Sequence, residues 1–326
     1  MPRNLLAAFI LEPNNPPFNT MSQKLKFMMI SAMYENGGNT THRMLDGHPE
    51  LHVYPFESQL GTSAVNDWLS SFVPLRYRYP EFPMHGDTLS DYESFWDEEM
   101  KTLLRVPSRS KFREADLQIN EDDRRKAFAA WMKGKERTRA NIVDAFFHST
   151  FSAWKNLKRT GKEKAYLGYS PVIGIDGEKM VKDFPDGHVI HVVRNPWSGY
   201  ADTKKRPFPL SLHRYAWTWN IMQEMALTFN ERFPKQFHIL RFEDLVEDPK
   251  TAMTGLCKKL GLKFSDTTLY PSWNGVKMES VYPWGTIRTP TPTANIATMN
   301  ELNAAEKKEM RSLTGVMRRA LGYENW

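Results

Sequence analysis

The chain has 326 residues, 40% hydrophobic and 25% charged, which is globular composition and excludes a disordered, collagenous or disulfide-stapled class. A net charge of +6 at pH 7 suits an anionic ligand or a mildly basic surface. The Lys and Arg residues are dispersed, without zinc spacing or an RNP-type pattern, which argues against nucleic acid, and a single cysteine, Cys257, excludes an internal disulfide and fits a reducing compartment.

Residues 1–24, with "EPNNPPFN", read as an irregular arm. The apolar run before Glu12 and Pro13 is too short to span a membrane and marginal as a secretory signal. The expectation is a soluble, cytoplasmic protein with no membrane partner; self-association into a homo-oligomer is left open. "LKFMMISAM" (25–33) is a short apolar run ending in a turn and predicts a buried strand. "NTTHRMLDGHPE" predicts a helix stopped by Gly47 and Pro49, and "LHVYPFES" a short strand after it. The spacing from Ser58 to Phe72 is helical, Tyr77 to Asp91 is a Pro- and aromatic-rich connection, and Glu121 to Lys158 reads as a long helical stretch. Phe128, Trp131, Ile142, Phe146 and Trp154 are its candidate core positions.

"AYLGYS" is a further strand, and "GHVIHVVRNP" another, whose continuous "VIHVV" run suits the interior of a parallel sheet. Helices at 208–232 and 248–260 flank the strand "FHILRF", with Cys257 a small buried apolar residue. A Trp-, Pro- and Gly-rich stretch runs from Ser272 to Pro292, and a terminal helix is expected over 300–320. Strands alternating with helices predict an α/β fold: three layers, a mostly parallel central sheet flanked by helices. The whole chain, 1–326, is expected to form one domain. Residues 72–160 are a helical and aromatic insertion, and 272–326 a covering loop with the C-terminal helix.

The strand, Gly-Gly turn and helix start at 26–45 outline a phosphate-binding loop. Free amides at a helix N-terminus and the helix dipole favour an anion. Gly37 and Gly38 permit positive φ and close backbone approach, Asn36 and Asn39 flank them, and Thr40 and Thr41 offer hydroxyl donors. It is not a Walker A loop, which needs a Gly-Lys followed by Ser or Thr. Arg194 ends the "VIHVV" strand, where a guanidinium can grip a phosphate bidentately. Arg43 is the nearest cation to the loop and His42 its neighbour. Lys204, Lys205 and Arg206 form a basic run that is either a solvated face or an extension of the anion field. No His/Cys/Asp cluster has metal-ligand spacing.

Taken in order, the first loop, "HPELHVYPFE", "VIHVVRNPWSGYADTKKRP" and "ILRFEDLVEDP" resemble the sulfotransferases that use 3′-phosphoadenosine 5′-phosphosulfate (PAPS), over about Lys26 to Leu262. The resemblance implies sulfuryl transfer from PAPS, leaving adenosine 3′,5′-bisphosphate, to a hydroxyl or amino group of a small-molecule or carbohydrate acceptor. No metal is required. It implies that the first loop (Asn36 to Thr41) binds the phosphosulfate and Arg194 the 3′-phosphate. Arg288 in "PWGTIRTP" would close over the nucleotide, and "RFEDL" would pack against the core, with Glu243 and Asp244 structural.

The chain departs from the family pattern in three places. The basic residue of the first loop falls on Glu35 or Asn36, depending on register. A serine expected eight residues after the arginine is Asp202, so the hydroxyl donor is expected to be Thr203, with Asp202 turned away. The frequent "K-T-P" stretch reads Tyr169, Ser170, Pro171. Sulfuryl transfer needs an in-line acceptor, a base, and neutralisation of the leaving phosphate. Arg43 is expected to fold back toward the phosphosulfate. Glu57, placed after the short strand near the loop's mouth, is the leading base, as in the carbohydrate and protein sulfotransferases with a glutamate base; burial would raise its pKa toward working pH. His52 and His48 compete for the role. His52 is otherwise cross-strand packing, and His48 sits at a helix end. Of Trp217 and Trp219, one is expected in the core and the other as an acceptor wall. A P-loop kinase shares the strand–loop–helix start but not the loop lysine or a clear Mg²⁺-binding Asp; a catalytically weak nucleotide-binding scaffold is the other alternative.

Overall fold

In the computed structural model, which describes residues 25–279 and 291–324, strand β1 (Lys26–Ala32) is buried along all but its first residue. Alternation sends Phe27 and Met29 to one face and Met28, Ile30 and Ala32 to the other. The chain continues through α1 (Gly38–Leu45), β2 (Leu51–Val53), α2 (Thr88–Ser94), α3 (Glu98–Arg105), α4 (Glu121–Met132), α5 (Arg139–Ala153), β3 (Ala165–Tyr169), α6 (Gly177–Asp183) and β4 (His188–Val193). After these come α7 (Pro196–Thr203), α8 (Leu212–Arg232), β5 (Phe237–Arg241), α9 (Phe242–Glu247), α10 (Pro249–Leu260), α11 (Pro292–Asn300), α12 (Ala304–Leu313) and α13 (Gly315–Ala320).

The sheet order is β2-β3-β1-β4-β5 with every neighbouring pair parallel. On one face, Met28 and Ile30 pack with Met44 of α1, Leu245 of α9 and Leu256, Cys257 and Leu260 of α10. On the other, Phe27 and Met29 pack with Phe146 and Phe147 of α5, Val181 of α6 and Phe229 of α8. The expected three-layer α/β architecture is therefore present. β1 has β3 on one side and β4 on the other, so the connections diverge there. The turns leaving the C-terminal ends of β1 and β4 flank the crevice where parallel sheets bind ligands.

Several element expectations change. Ser58 to Phe72 is no helix; a short 3-10 turn at Trp68–Ser71 is its only regular piece. Tertiary partners take its backbone groups instead: Ser58 N–H donates to Tyr169 O (2.7 Å) and Trp96 N–H to Gly61 O (2.9 Å). A Cβ on Gly61 would lie 1.7 Å from Leu75 O, so two loop backbones touch where only glycine fits. The stretch from Glu121 to Lys158 is an antiparallel hairpin of α4 and α5. It breaks at Gly134, φ 76°, and restarts where the Thr138 side chain accepts from Asn141 N–H. The expected terminal helix is two, α12 and α13, preceded by α11.

The hairpin is joined to the sheet by a buried polar knot. Arg124 on α4 pairs with Asp97 (2.5 Å), both side chains 1% exposed, and Tyr54 Oη donates to the other Asp97 oxygen (2.6 Å). Removing one charge strands the other out of water. Asp97→Asn is expected to cost about 3–5 kcal/mol, read as a fall in the urea midpoint at unchanged slope.

Candidate active site

A cleft of about 550 Å³ opens at the C-terminal ends of β1 and β4. Its floor is the turn between β1 and α1. Gly37, φ 87°, precedes the helix. A Cβ there would fall 2.2 Å from the Phe242 ring, and one on Gly38 would fall 2.6 Å from Tyr169 and 2.7 Å from Ala32 Cβ. Both glycines are thus sterically required, one by φ and contact, the other by contact alone. Gly38, Asn39 and Thr40 line the cleft. Their first-turn amides have no acceptor within the helix, and the dipole makes that end positive. Thr41 is buried and its hydroxyl donates back to Gly37 O (3.0 Å), so it adds no donor to the cleft.

Asn36 closes the turn. Its Nδ2 donates to Tyr34 O (2.8 Å) and Tyr215 Oη (2.9 Å), and its Oδ1 accepts from Arg194 N–H (3.2 Å). The Arg194 guanidinium answers across the same gap. Nη1 donates to Glu35 O (2.9 Å) and Asp202 Oδ2 (2.8 Å), and Nε to Asn295 Oδ1 (2.7 Å). Asp202 therefore faces the arginine and does not turn away. Thr203 is buried, its hydroxyl on Gly199 O (2.9 Å); one helical step places it on the inner face of α7, out of reach of the cleft. Glu243 is structural, as expected. It accepts from Asn195 N–H (3.1 Å), Asn195 Nδ2 (2.8 Å), Asn295 Nδ2 (3.1 Å) and Tyr323 Oη (2.6 Å). Trp219 is in the core with Nε1 on Arg194 O (3.2 Å), whereas Trp217 is exposed and does not line the cleft.

Arg43 does not reach the loop. It lies on the buried face of α1, where Nη2 donates to Tyr54 O (3.0 Å), Nη1 meets Asp46 (3.4 Å), and the guanidinium lies over the Trp273 ring. His52 is also outside the cleft. Its ring packs beside the stacked Phe151 and Tyr166 rings, and burial pulls its pKa down to about 4, leaving a neutral packing residue. His48 joins Lys263 O (2.8 Å) and Glu50 N–H (3.1 Å). Arg288 lies outside the described residues.

Among the described residues, the cations that do line the cleft, besides Arg194, are Lys111, Lys205 and Arg206. Arg206 pairs with Glu35 (2.6 Å), Lys205 with Asp202 and Glu301 (2.9 Å each), and Lys111 with Glu99 (2.5 Å). Lys111 and Asn295 carry no local sequence signal: one sits in the loop before α4, the other on α11, and only the fold brings them in. Glu57 lines the same cleft. Burial, then the neighbouring Glu99 carboxylate, raise its pKa from the ordinary 4.5 to about 8, against the opposing charges of Lys111 and Arg206.

The Sulfotransferase family model matches residues 36–266. The chain belongs to the sulfotransferase family. It is an enzyme of the transferase class, PAPS-dependent by family. Among solved structures it is similar to the sulfotransferase domain of the Synechococcus PCC 7002 olefin synthase, at 17% identity over 94% of this chain and 97% of that one, TM-score 0.48. It is also similar to sulfotransferase STF9 from Mycobacterium avium, at 13% identity over 92% and 77% of the two chains, TM-score 0.45. Comparison with curated proteins finds no match. Among the described residues, no helix of this sulfotransferase is long and apolar enough to cross a membrane.

The loop's dependence on glycine is directly testable. Gly37→Ala forces a side chain into positive φ and against Phe242. It is expected to cost about 1–3 kcal/mol from the backbone alone, seen as a lowered thermal midpoint.

Proposed function

We propose that the cleft takes PAPS, with the amides of Gly38, Asn39 and Thr40 on the phosphosulfate and Arg194 on the 3′-phosphate, and that Glu57 is the base. The acceptor is a small molecule or carbohydrate presenting a hydroxyl or amino group. One observation carries this reading: a helix N-terminus, a fixed guanidinium and a carboxyl group of near-neutral pKa share a single cleft. The cleft also fits the donor's chemistry, since the first-turn residues of α1, Gly38, Asn39 and Thr40, line it with backbone amides that no helical carbonyl takes. A volume of about 550 Å³ is within the usual range for a cofactor-sized ligand.

The bound donor supplies an activated sulfuryl group. Glu57 takes the proton of the attacking hydroxyl or amine, a transfer best served by a base titrating near working pH. The α1 amides receive charge developing on the departing phosphate. Lys111 and Arg206 supply the cationic field that the loop itself lacks, in place of Arg43. The chain acts as one unit, 1–326, in which the 72–160 segment contributes Lys111 to the acceptor side.

A carboxylate base must be ionised, so turnover should climb with pH through the Glu57 pKa, near 8, and level off above it. Glu57→Gln should lower turnover by about a hundredfold or more while calorimetric affinity for adenosine 3′,5′-bisphosphate stays unchanged. Near-normal turnover in that variant would remove Glu57 from the reaction. Arg194→Ala should weaken binding of the same nucleotide by about 2–5 kcal/mol. Unchanged affinity in a folded variant would make Arg194 purely structural.

A further inference from the structure

The segment after β2 is held against the start of α3 by several hydrogen bonds. Asp97 N–H donates to Gln59 O (2.9 Å), Glu98 N–H to Gln59 Oε1 (2.8 Å), and Glu57 N–H to Glu99 Oε2 (3.0 Å). The other Glu99 oxygen meets Lys111 Nζ at 2.5 Å. The Glu99 side chain is only 12% exposed and Lys111 59%, and Lys111 lines the cleft together with Glu57. A neutral glutamine at position 99 would accept the same Glu57 amide. The fold instead keeps a carboxylate in a poorly solvated place beside another carboxylate, an arrangement that is costly unless charge is wanted there.

We propose that Glu99 and Lys111 are a positioning pair for Glu57: Glu99 anchors the Glu57 backbone and sets a negative charge beside its carboxyl, and Lys111, clamped by Glu99, holds a positive charge at the cleft side. This inference rests on Glu57 being the base. The two charges act in opposite senses. Glu99 disfavours the ionised form of Glu57, Lys111 favours it, and their balance decides how readily Glu57 accepts a proton at working pH. Among the described residues, the other groups facing Glu57 are Arg206 after α7, Tyr34 after β1, Tyr77, Tyr169 at the end of β3, and Gln59 on its own segment. Burial pushes the three phenols above their ordinary range, Tyr34 to about 12. They therefore stay neutral wherever Glu57 titrates, and Arg206 stays charged. Of the charges around Glu57, Glu99 and Lys111 are the two whose removal leaves the Arg206–Glu35 pair of the donor side in place.

The test is a carbon-13 titration of the full chain labelled at glutamate Cδ, with the Glu57 resonance assigned by its loss in Glu57→Gln. Glu99→Gln should lower the Glu57 midpoint by about one pH unit or more, and Lys111→Met should raise it. Turnover of labelled PAPS on a panel of phenols, alcohols and amino sugars should show its rising limb moved in the same two directions. Adenosine 3′,5′-bisphosphate should bind Glu99→Gln as it binds the parent, which confirms that the variant is folded. Opposite shifts are a signature that general loosening of the site does not produce. If Glu99→Gln does not fold, the exposed Lys111→Met carries the test alone, and an unmoved midpoint there overturns the pair. Unmoved midpoints in both variants, or shifts in the same direction, also overturn it. Full turnover in Glu57→Gln is read on a separate variant. It overturns the base assignment, and the pair's part in the reaction with it.

Discussion

Parallel pairing of β1 with β4 is the constraint on which the cleft depends. It sets Ser31 against His191 and Ala32 against Val192, so the two strands end together and their exits lie within hydrogen-bonding reach. The tie between those exits runs both ways. Asn36 accepts the Arg194 amide, and the Arg194 guanidinium returns to the Glu35 carbonyl. Trp219 and Asn295 hold the same arginine from α8 and α11. A loop with positive φ at Glu35, a residue with a Cβ, is strained by itself. These bonds, made from four separate parts of the chain, over-determine it.

Among the described residues, charge in the cleft is nearly balanced. Lys111, Arg194, Lys205 and Arg206 face Glu35, Asp202 and Glu301, with Glu57 uncharged below its raised pKa, so the site is far less positive than its arginines suggest. Arg194 is nearly buried, and Asp202 compensates its desolvation before any anion arrives. A phosphate approaching this guanidinium must compete with a carboxylate already bound to it. Affinity then depends on the difference between two ion pairs, and the amides of α1, which carry no internal counter-ion, are the uncontested anion donors.

Local pattern carried much of the fold. The apolar run of β1, the "VIHVV" of β4 and the Gly-Gly turn each hold enough short-range information to be read without neighbours. Patterns failed where long-range contacts take over the backbone. The helical spacing from Ser58 to Phe72 is real, but the segment's amides and carbonyls pair with β3 and with the loops around Arg76 and Trp96. The Glu121–Lys158 stretch was readable as helical. Its break at Gly134 was not, because a lone glycine in a helical pattern is equally compatible with a weak helix.

For the site, the sequence by itself determined the chemistry on offer: a glycine turn at a helix start, an arginine at a strand end, and a glutamate after the neighbouring strand. Those residues owe their placement to covalent neighbours within a few positions. Orientation was a tertiary decision. Whether Arg43 or Arg206 faces the cleft, and whether Asp202 or Thr203 does, turns on one helical step and on which face meets the core. Lys111 and Asn295 enter from segments remote in sequence. The sequence could name Glu57 as a base, but its carboxyl group is pushed up only when packing removes its water and sets Glu99 beside it, because a side chain's pKa depends on surroundings that no stretch of sequence contains.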